Sequence, residues 1–183
     1  MDRLFIGIEI PEEVKRKFNF LLEKLDAFRS KVVPYENIHL TIKFIGETDK
    51  TNLILNTLSS IRFKSFSISI YSVGVFPNVY YPKVFWVGVK ESKNLLDLFN
   101  LIDNKLLLDV GIPKDEREFS PHITLSRFKK PVNDLKKFIE FVEEYKSESF
   151  GEFEVKEFVL FKSILKQPDP VYSVLEKFNL IAK

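Results

Sequence analysis

The sequence predicts an α+β protein of two pseudo-symmetric lobes, each an antiparallel sheet with flanking helices, and a functional groove between them. Three observations carry that expectation. A short pattern occurs twice, as His39-Leu40-Thr41-Ile42 and again as His122-Ile123-Thr124-Leu125, and these are the only two histidines in the chain. Segments of period two alternate with segments of helical period in the order strand, helix, strand, helix, strands, helix, strand, helix, strands, which places one motif strand early and one late. No linker rich in Gly or Ser divides the halves, so residues 1–183 read as a single bilobal domain with an imperfect internal duplication.

Residues 4–10 read as a buried strand, after which Pro11-Glu12-Glu13 supplies a helix start with negative charge in its first turn. That helix is predicted to run to about Phe28. Pro34 and Asn37 mark a turn, and residues 39–45 then alternate cleanly up to Gly46, with Leu40, Ile42 and Phe44 on a core face and His39, Thr41 and Lys43 on the other. Leu53, Ile54, Leu55 and Leu58 predict a second helix within residues 50–61. Residues 66–71 alternate and continue toward Phe76, and residues 84–89 form the partner of a β-hairpin beyond the loop from Pro77 to Pro82.

Leu95, Leu98, Phe99, Ile102, Leu106 and Val110 recur at helical spacing, and Gly111 followed by Pro113 ends that helix. Pro121 precedes the second motif strand, residues 122–128, at a position where a missing N–H does little harm. Leu135, Phe138, Ile139 and Val142 form a fourth amphipathic face. Residues 155–161 and 171–178 read as the last two strands, separated by the turn Gln167-Pro168-Asp169-Pro170.

Composition narrows the function. With 45% hydrophobic residues in 183 the chain can bury a substantial core. A formal net charge of only +2 lacks the broad basic footprint of a nonspecific duplex binder, so any nucleic-acid contact should be local. Cysteine is absent, which removes disulfides, thiol redox chemistry and the cysteine-containing zinc patterns. The apolar run at the N-terminus meets Glu9, Glu12 and Glu13, unlike a secretory signal, and the uncharged stretch from Ser65 to Pro82 is broken by Gly74, Pro77 and Pro82, so no membrane span and a cytoplasmic setting are expected.

The chemistry resides in the repeated motif. Residues two apart on a strand share a face, so each His and its Thr point the same way. Only five threonines occur in the chain, which makes chance a poor account of two His-x-Thr pairs. A single strand histidine is more often a satisfied structural residue; the pair reverses that judgement. Of two imidazoles that titrate near neutrality, one can take a proton from water while the other gives one to a departing oxygen, as phosphodiester hydrolysis requires. The Thr41 and Thr124 hydroxyls can hydrogen-bond phosphate oxygens where charge grows. A zinc site would need a third ligand such as Asp or Glu, and no metal-type spacing accompanies the histidines; the two-imidazole scheme demands neither metal nor cofactor. Lys43 is in phase with His39 and Thr41, whereas Arg127 is out of phase with His122, Thr124 and Ser126 unless a bulge intervenes; either cation can serve phosphate charge.

The segments Arg3 to Val14, Pro34 to Glu47 (containing Asn37-Ile38-His39-Leu40-Thr41-Ile42-Lys43-Phe44-Ile45-Gly46-Glu47), Gly74-Val75-Phe76-Pro77 and Phe119-Ser120-Pro121-His122-Ile123-Thr124-Leu125-Ser126-Arg127 together resemble the two-histidine phosphoesterase superfamily, and specifically the LigT/ThpR-like RNA 2′,3′-cyclic phosphodiesterases, also called 2′-5′ RNA ligases. The resemblance implies a bilobal α+β fold around a basic groove and hydrolysis of an RNA-terminal 2′,3′-cyclic phosphate, or of a small cyclic nucleotide, to a 2′-phosphate. It makes His39 the proton donor to the leaving 3′-oxygen and His122 the acceptor that activates water, with Thr41, Thr124 and Arg127 on the phosphate. It also places Phe5 near the terminal base, and Lys43 is assigned with it to the nucleotide. Val32 stands where the family often has Trp, which bears on base stacking there. A monomer acting on RNA ends, reversible 2′-5′ ligation, and a noncatalytic RNA-end or nucleotide-binding module using the same groove complete the expectations.

Overall fold

Nine strands of the computed structural model, which describes residues 1–182, hydrogen-bond into one curled antiparallel sheet carrying four helices. In chain order the elements are β1 (Asp2–Glu9), α1 (Glu12–Asp26), β2 (Lys31–Val32), a 3₁₀ turn (Tyr35–Asn37), β3 (His39–Thr48), α2 (Thr51–Ser59), β4 (Phe66–Phe76), β5 (Val84–Val89), α3 (Lys93–Val110), β6 (His122–Arg127), α4 (Leu135–Tyr145), β7 (Ser149–Val155), β8 (Glu157–Ile164) and β9 (Val171–Asn179). The spatial order β7-β4-β5-β6-β3-β1-β8-β9 divides into two groups of four about the β6–β3 junction, with β2 added beside β6. That junction rests on one paired position, Leu40 opposite Ile123. The two lobe sheets are therefore continuous through a single paired position of the two motif strands.

Local sequence accounts for the helices. In α1, Val14, Phe18, Leu21, Leu22 and Leu25 are buried at the spacing of one helical face, and Glu12 and Glu13 favour its N-terminus. α3 begins where the Ser92 side chain accepts from the Leu95 N–H and ends at Gly111, whose φ of +76° suits glycine and lets Gly111 and Ile112 donate back to Leu107 and Leu106. α4 is capped by Asp134, which accepts from the Lys137 N–H at 3.1 Å, and buries Phe138, Phe141 and Val142. α2 and α3 pack together, with α3 against β3 and α2 against β9, while α1 and α4 cover the other lobe. No helix among the described residues is long and apolar enough to cross a membrane.

Two expectations change. Residues 155–161 are not one strand: Val155 ends β7 and Glu157 begins β8, with only Lys156 between them. Because β7 is at one end of the sheet order and β8 next to the other, the sheet must curl until its ends approach. β3 also does not stop at Gly46 but runs on to Thr48. Phe5 pairs with Phe44 and Leu4 with Gly46, so Ile45 is an extra residue, and Gly46 at φ +81° absorbs the bulge.

Bulges also set which side chains reach the groove. On β3, Gly7 pairs with Thr41 and Ile6 with Lys43, which leaves Ile42 extra. On β6, Trp86 pairs with Thr124 and Phe85 with Ser126, which leaves Leu125 extra. A one-residue bulge reverses the phase of everything after it. Each motif strand is thus interrupted just after its His-x-Thr, so Ile42 and Lys43, and likewise Leu125 and Ser126, are consecutive buried residues.

Candidate active site

The groove, with a volume of about 630 Å³, opens at the β3–β6 junction and is lined by His39, Thr41, His122, Thr124 and Arg127 among others. In an antiparallel pair centred on Leu40 and Ile123, His39 lies across from Thr124 and Thr41 across from His122. The four groups therefore alternate about one point. The structure brings together five of the seven residues selected from the sequence.

Both imidazoles are held alike. His39 Nδ1 is 2.6 Å from the Asn37 carbonyl, and His122 Nδ1 is 2.7 Å from the Ser120 carbonyl, in each case two residues upstream. With Nδ1–H donating to a carbonyl, the neutral ring presents the lone pair of Nε2 to the groove. For His39 that lone pair accepts from the Thr41 hydroxyl at 2.9 Å. Gly7 permits this posture: a Cβ there would approach Leu40 O to 2.8 Å and His39 Cδ2 to 3.4 Å.

The two rings differ in surroundings. Phe5, Tyr172 and Phe161 surround His39 at ring-centroid distances of 4.8, 5.4 and 5.8 Å. Burial lowers its pKa to about 4, against the stabilising Asn37 bond and with the nearby positive charge of Lys15 and Arg127 adding to the shift. His122 meets Phe76 at 5.0 Å and Trp86 at 6.2 Å. Burial lowers its pKa too, opposed by the bond to Ser120. His122 also bears electrostatically on His39, consistent with their convergence.

Arg127 reaches the groove because the bulge at Leu125 restores its phase with His122 and Thr124. It is exposed, and its guanidinium makes no ion pair or hydrogen bond among the described residues. The same geometry removes Lys43: the bulge at Ile42 turns it into the opposite face, where it is 1% exposed and bonds Asp103 at 2.6 Å and the Pro113 carbonyl at 3.1 Å. Lys43 is a structural cation there and not a nucleotide ligand. Phe5 also does not line the groove; at 3% exposure it stacks on Phe161 at 4.8 Å and forms the floor under His39. Its packing leaves no open face for a base.

Sequence reasoning missed Phe44, which takes the position expected of Lys43 and lines the groove while 67% exposed. It also missed Tyr172 and the groove cations Arg3, Lys31 and Lys129. Phe44 follows His39 by five positions, as Arg127 follows His122, and that equal spacing is the one signal of matching bulges in the sequence. Among the described residues, no cluster of three or more His, Cys, Asp or Glu side chains could hold a metal ion.

Two imidazoles and two hydroxyls converging in a cationic groove equip a chain for acid–base work on phosphate esters. A family model described as LigT-like phosphoesterase matches twice, over residues 8–86 and 87–172, one His-x-Thr in each match. The chain belongs to the LigT-like phosphoesterase family. It is 39% identical over 178 residues to a Methanocaldococcus jannaschii protein named RNA 2′,3′-cyclic phosphodiesterase, covering 96% of this chain and 99% of the relative. It is 37% identical over 180 residues to an Archaeoglobus fulgidus protein of the same name, covering 97% and 99%. A crystal structure from Thermus thermophilus superposes with a TM-score of 0.82 at 33% identity, covering 99% of both chains. The fold is shared as well with Escherichia coli LigT complexed with 3′-AMP, at a TM-score of 0.77, 23% identity and 98% coverage of both.

Proposed function

We propose that the chain is an RNA 2′,3′-cyclic phosphodiesterase that opens a terminal cyclic phosphate to a 2′-phosphate, with His39 and His122 as its acid and base. The observation that carries this reading is the alternation of His39, Thr124, Thr41 and His122 about the Leu40–Ile123 pair. One phosphorus bound there would have an imidazole on either flank, the requirement of in-line displacement. Water attacks opposite the 3′-oxygen, His122 Nε2 takes its proton, the P–O3′ bond breaks and His39 Nε2 supplies the proton to O3′. Thr41, Thr124 and Arg127 hold the remaining oxygens.

Burial makes the roles conditional on substrate. In the free protein His39 is neutral at pH 7 and accepts from Thr41; an incoming phosphate anion raises its proton affinity, and once Nε2 is protonated the Thr41 hydroxyl is released to the phosphate. The proposed enzyme acts as a monomer on RNA ends in the cytoplasm. The exposed Phe44 supports 2′-5′ joining as a second activity: it lies beyond Thr41, on the His122 side, where the 5′-nucleoside of a second RNA would replace water. Incubation with a 2′,3′-cyclic nucleotide in EDTA, followed by ³¹P NMR, tests the main reading. A nucleoside 2′-phosphate is expected; binding without turnover, as from a noncatalytic module, or turnover abolished by EDTA would refute it.

A further inference from the structure

His39 stands on the boundary between two cavities. The second, of about 620 Å³, is lined on its far side by Glu9, Glu12 and Glu36 as well as Lys15, and among the described residues only His39 and Tyr172 line both it and the groove. Tyr172, on β9, meets His39 edge-on, with ring planes at 85°, and Phe5 at 4.9 Å. No third ring of this kind contacts His122 among the described residues, so Tyr172 distinguishes the two halves of a pseudo-symmetric site.

The Tyr172 hydroxyl has no protein hydrogen-bond partner among the described residues and is not a sealed, unsatisfied atom. Tyr172 lines the groove together with Arg3, Arg127 and Asp169, so its unpartnered hydroxyl is available to a phosphate ester bound there. Burial raises its pKa, which keeps the phenol a proton-bearing donor at neutral pH.

We propose that Tyr172 is a further substrate-contacting residue of this site: its ring closes the wall between the two cavities at His39, and its hydroxyl donates to a charged oxygen of the bound phosphate ester beside His39. This rests on the cyclic phosphodiesterase reading, in which His39 serves the leaving 3′-oxygen. The charged groups that act on His39 are Lys15 from α1 and Arg127 and His122 from β6, and the second cavity beside it is lined by Glu9, Glu12, Glu36, Glu154, Lys156 and Glu157. None lies on β9, whose contribution to this environment is the uncharged Tyr172 ring. Its removal would join the two cavities beside the imidazole and hydrate the ring more fully.

The test compares wild type, Tyr172→Phe and Tyr172→Ala in hydrolysis of a 2′,3′-cyclic nucleotide from pH 4 to 9, with thermal unfolding as the check on folding. Tyr172→Phe should lose about ten- to a hundredfold in kcat/KM, the usual effect of one hydrogen bond to a charged ligand, and keep the acid limb of its pH profile. Tyr172→Ala should in addition move that limb upward, toward the ordinary histidine value. Tyr172→Phe within twofold of wild type overturns the hydroxyl contact, and an unmoved acid limb in folded Tyr172→Ala overturns the wall. If wild type hydrolyses no cyclic phosphate, the functional reading fails on its own. The Tyr172 contact is then read from affinity for a nucleoside 2′-phosphate, expected to fall about tenfold in Tyr172→Phe, and equal affinity overturns it.

Discussion

Burial of His39 as a neutral ring makes the site a source of acid sensitivity, measurable without any substrate. The folded pKa is about 4 against 6.5 for the free side chain. Below pH 6.5 the unfolded chain binds a proton that the folded chain refuses, so stability falls as pH falls from 6.5 through about 4; above 6.5 both states are neutral and His39 contributes nothing. At pH 5 that difference amounts to about 2 kcal/mol, and it approaches about 3 kcal/mol near pH 4. His39→Gln removes the titrating group and leaves an uncharged polar side chain. Urea unfolding followed by circular dichroism at pH 7.5 and pH 5 should show wild type losing about 2 kcal/mol more than His39→Gln across that interval. Carboxylates and His122 are common to both proteins and largely cancel. Equal losses would mean that His39 is as easily protonated folded as unfolded, and the burial argument would be wrong.

Further outcomes follow from the same geometry. His39→Ala and His122→Ala should each lower kcat/KM for a 2′,3′-cyclic nucleotide by about 10²–10⁴, without loss of thermal stability at pH 7.5; full activity in either removes that histidine from the mechanism. Because turnover needs one neutral and one protonated imidazole, kcat/KM should be bell-shaped, with its maximum between pH 4 and 6.5, and should fall about tenfold per pH unit on the alkaline side. A rate rising steadily from pH 5 to 9 contradicts this. Lys43→Met should destabilise the fold by about 3 kcal/mol by stranding Asp103, and Lys43→Met with Asp103→Leu should recover most of it in denaturant titrations. A pure KM effect with unchanged stability would return Lys43 to the nucleotide. Arg127→Ala should raise KM at low salt, with the deficit shrinking as ionic strength rises; an identical salt response in both proteins would remove Arg127 from phosphate binding.

Much of the molecule can be read from short-range pattern. The four helices follow from apolar spacing and from Pro11, Ser92, Asp134 and Gly111 at their ends, and the site's chemistry follows from a motif that one strand repeats from the other. What escapes is set by pairing between distant strands. The bulges at Ile42 and Leu125 depend on how β1 and β5 align with β3 and β6, and they exchange Lys43 for Phe44 and Ser126 for Arg127 at the groove. Strict alternation therefore misplaced Lys43, and it admitted Arg127 only on condition of a bulge. The break between β7 and β8 at Lys156 is likewise invisible locally, because the alternation of β7 runs through Lys156 into the buried apolar run Phe158 to Phe161 of β8 with no Gly or Pro between them, and only the curl of the sheet separates the two. Tyr172 reaches His39 from β9 through the stacked order β9-β8-β1-β3, a proximity with no signature near either residue.

The central claim is that two imidazoles address one phosphorus. A crystal structure of the chain with a bound nucleoside 2′-phosphate tests it most directly. The Nε2 atoms of both His39 and His122 are expected within hydrogen-bond distance of the same phosphate, approaching from different sides. A phosphate touching only one of them, or lying in the second cavity, would contradict it.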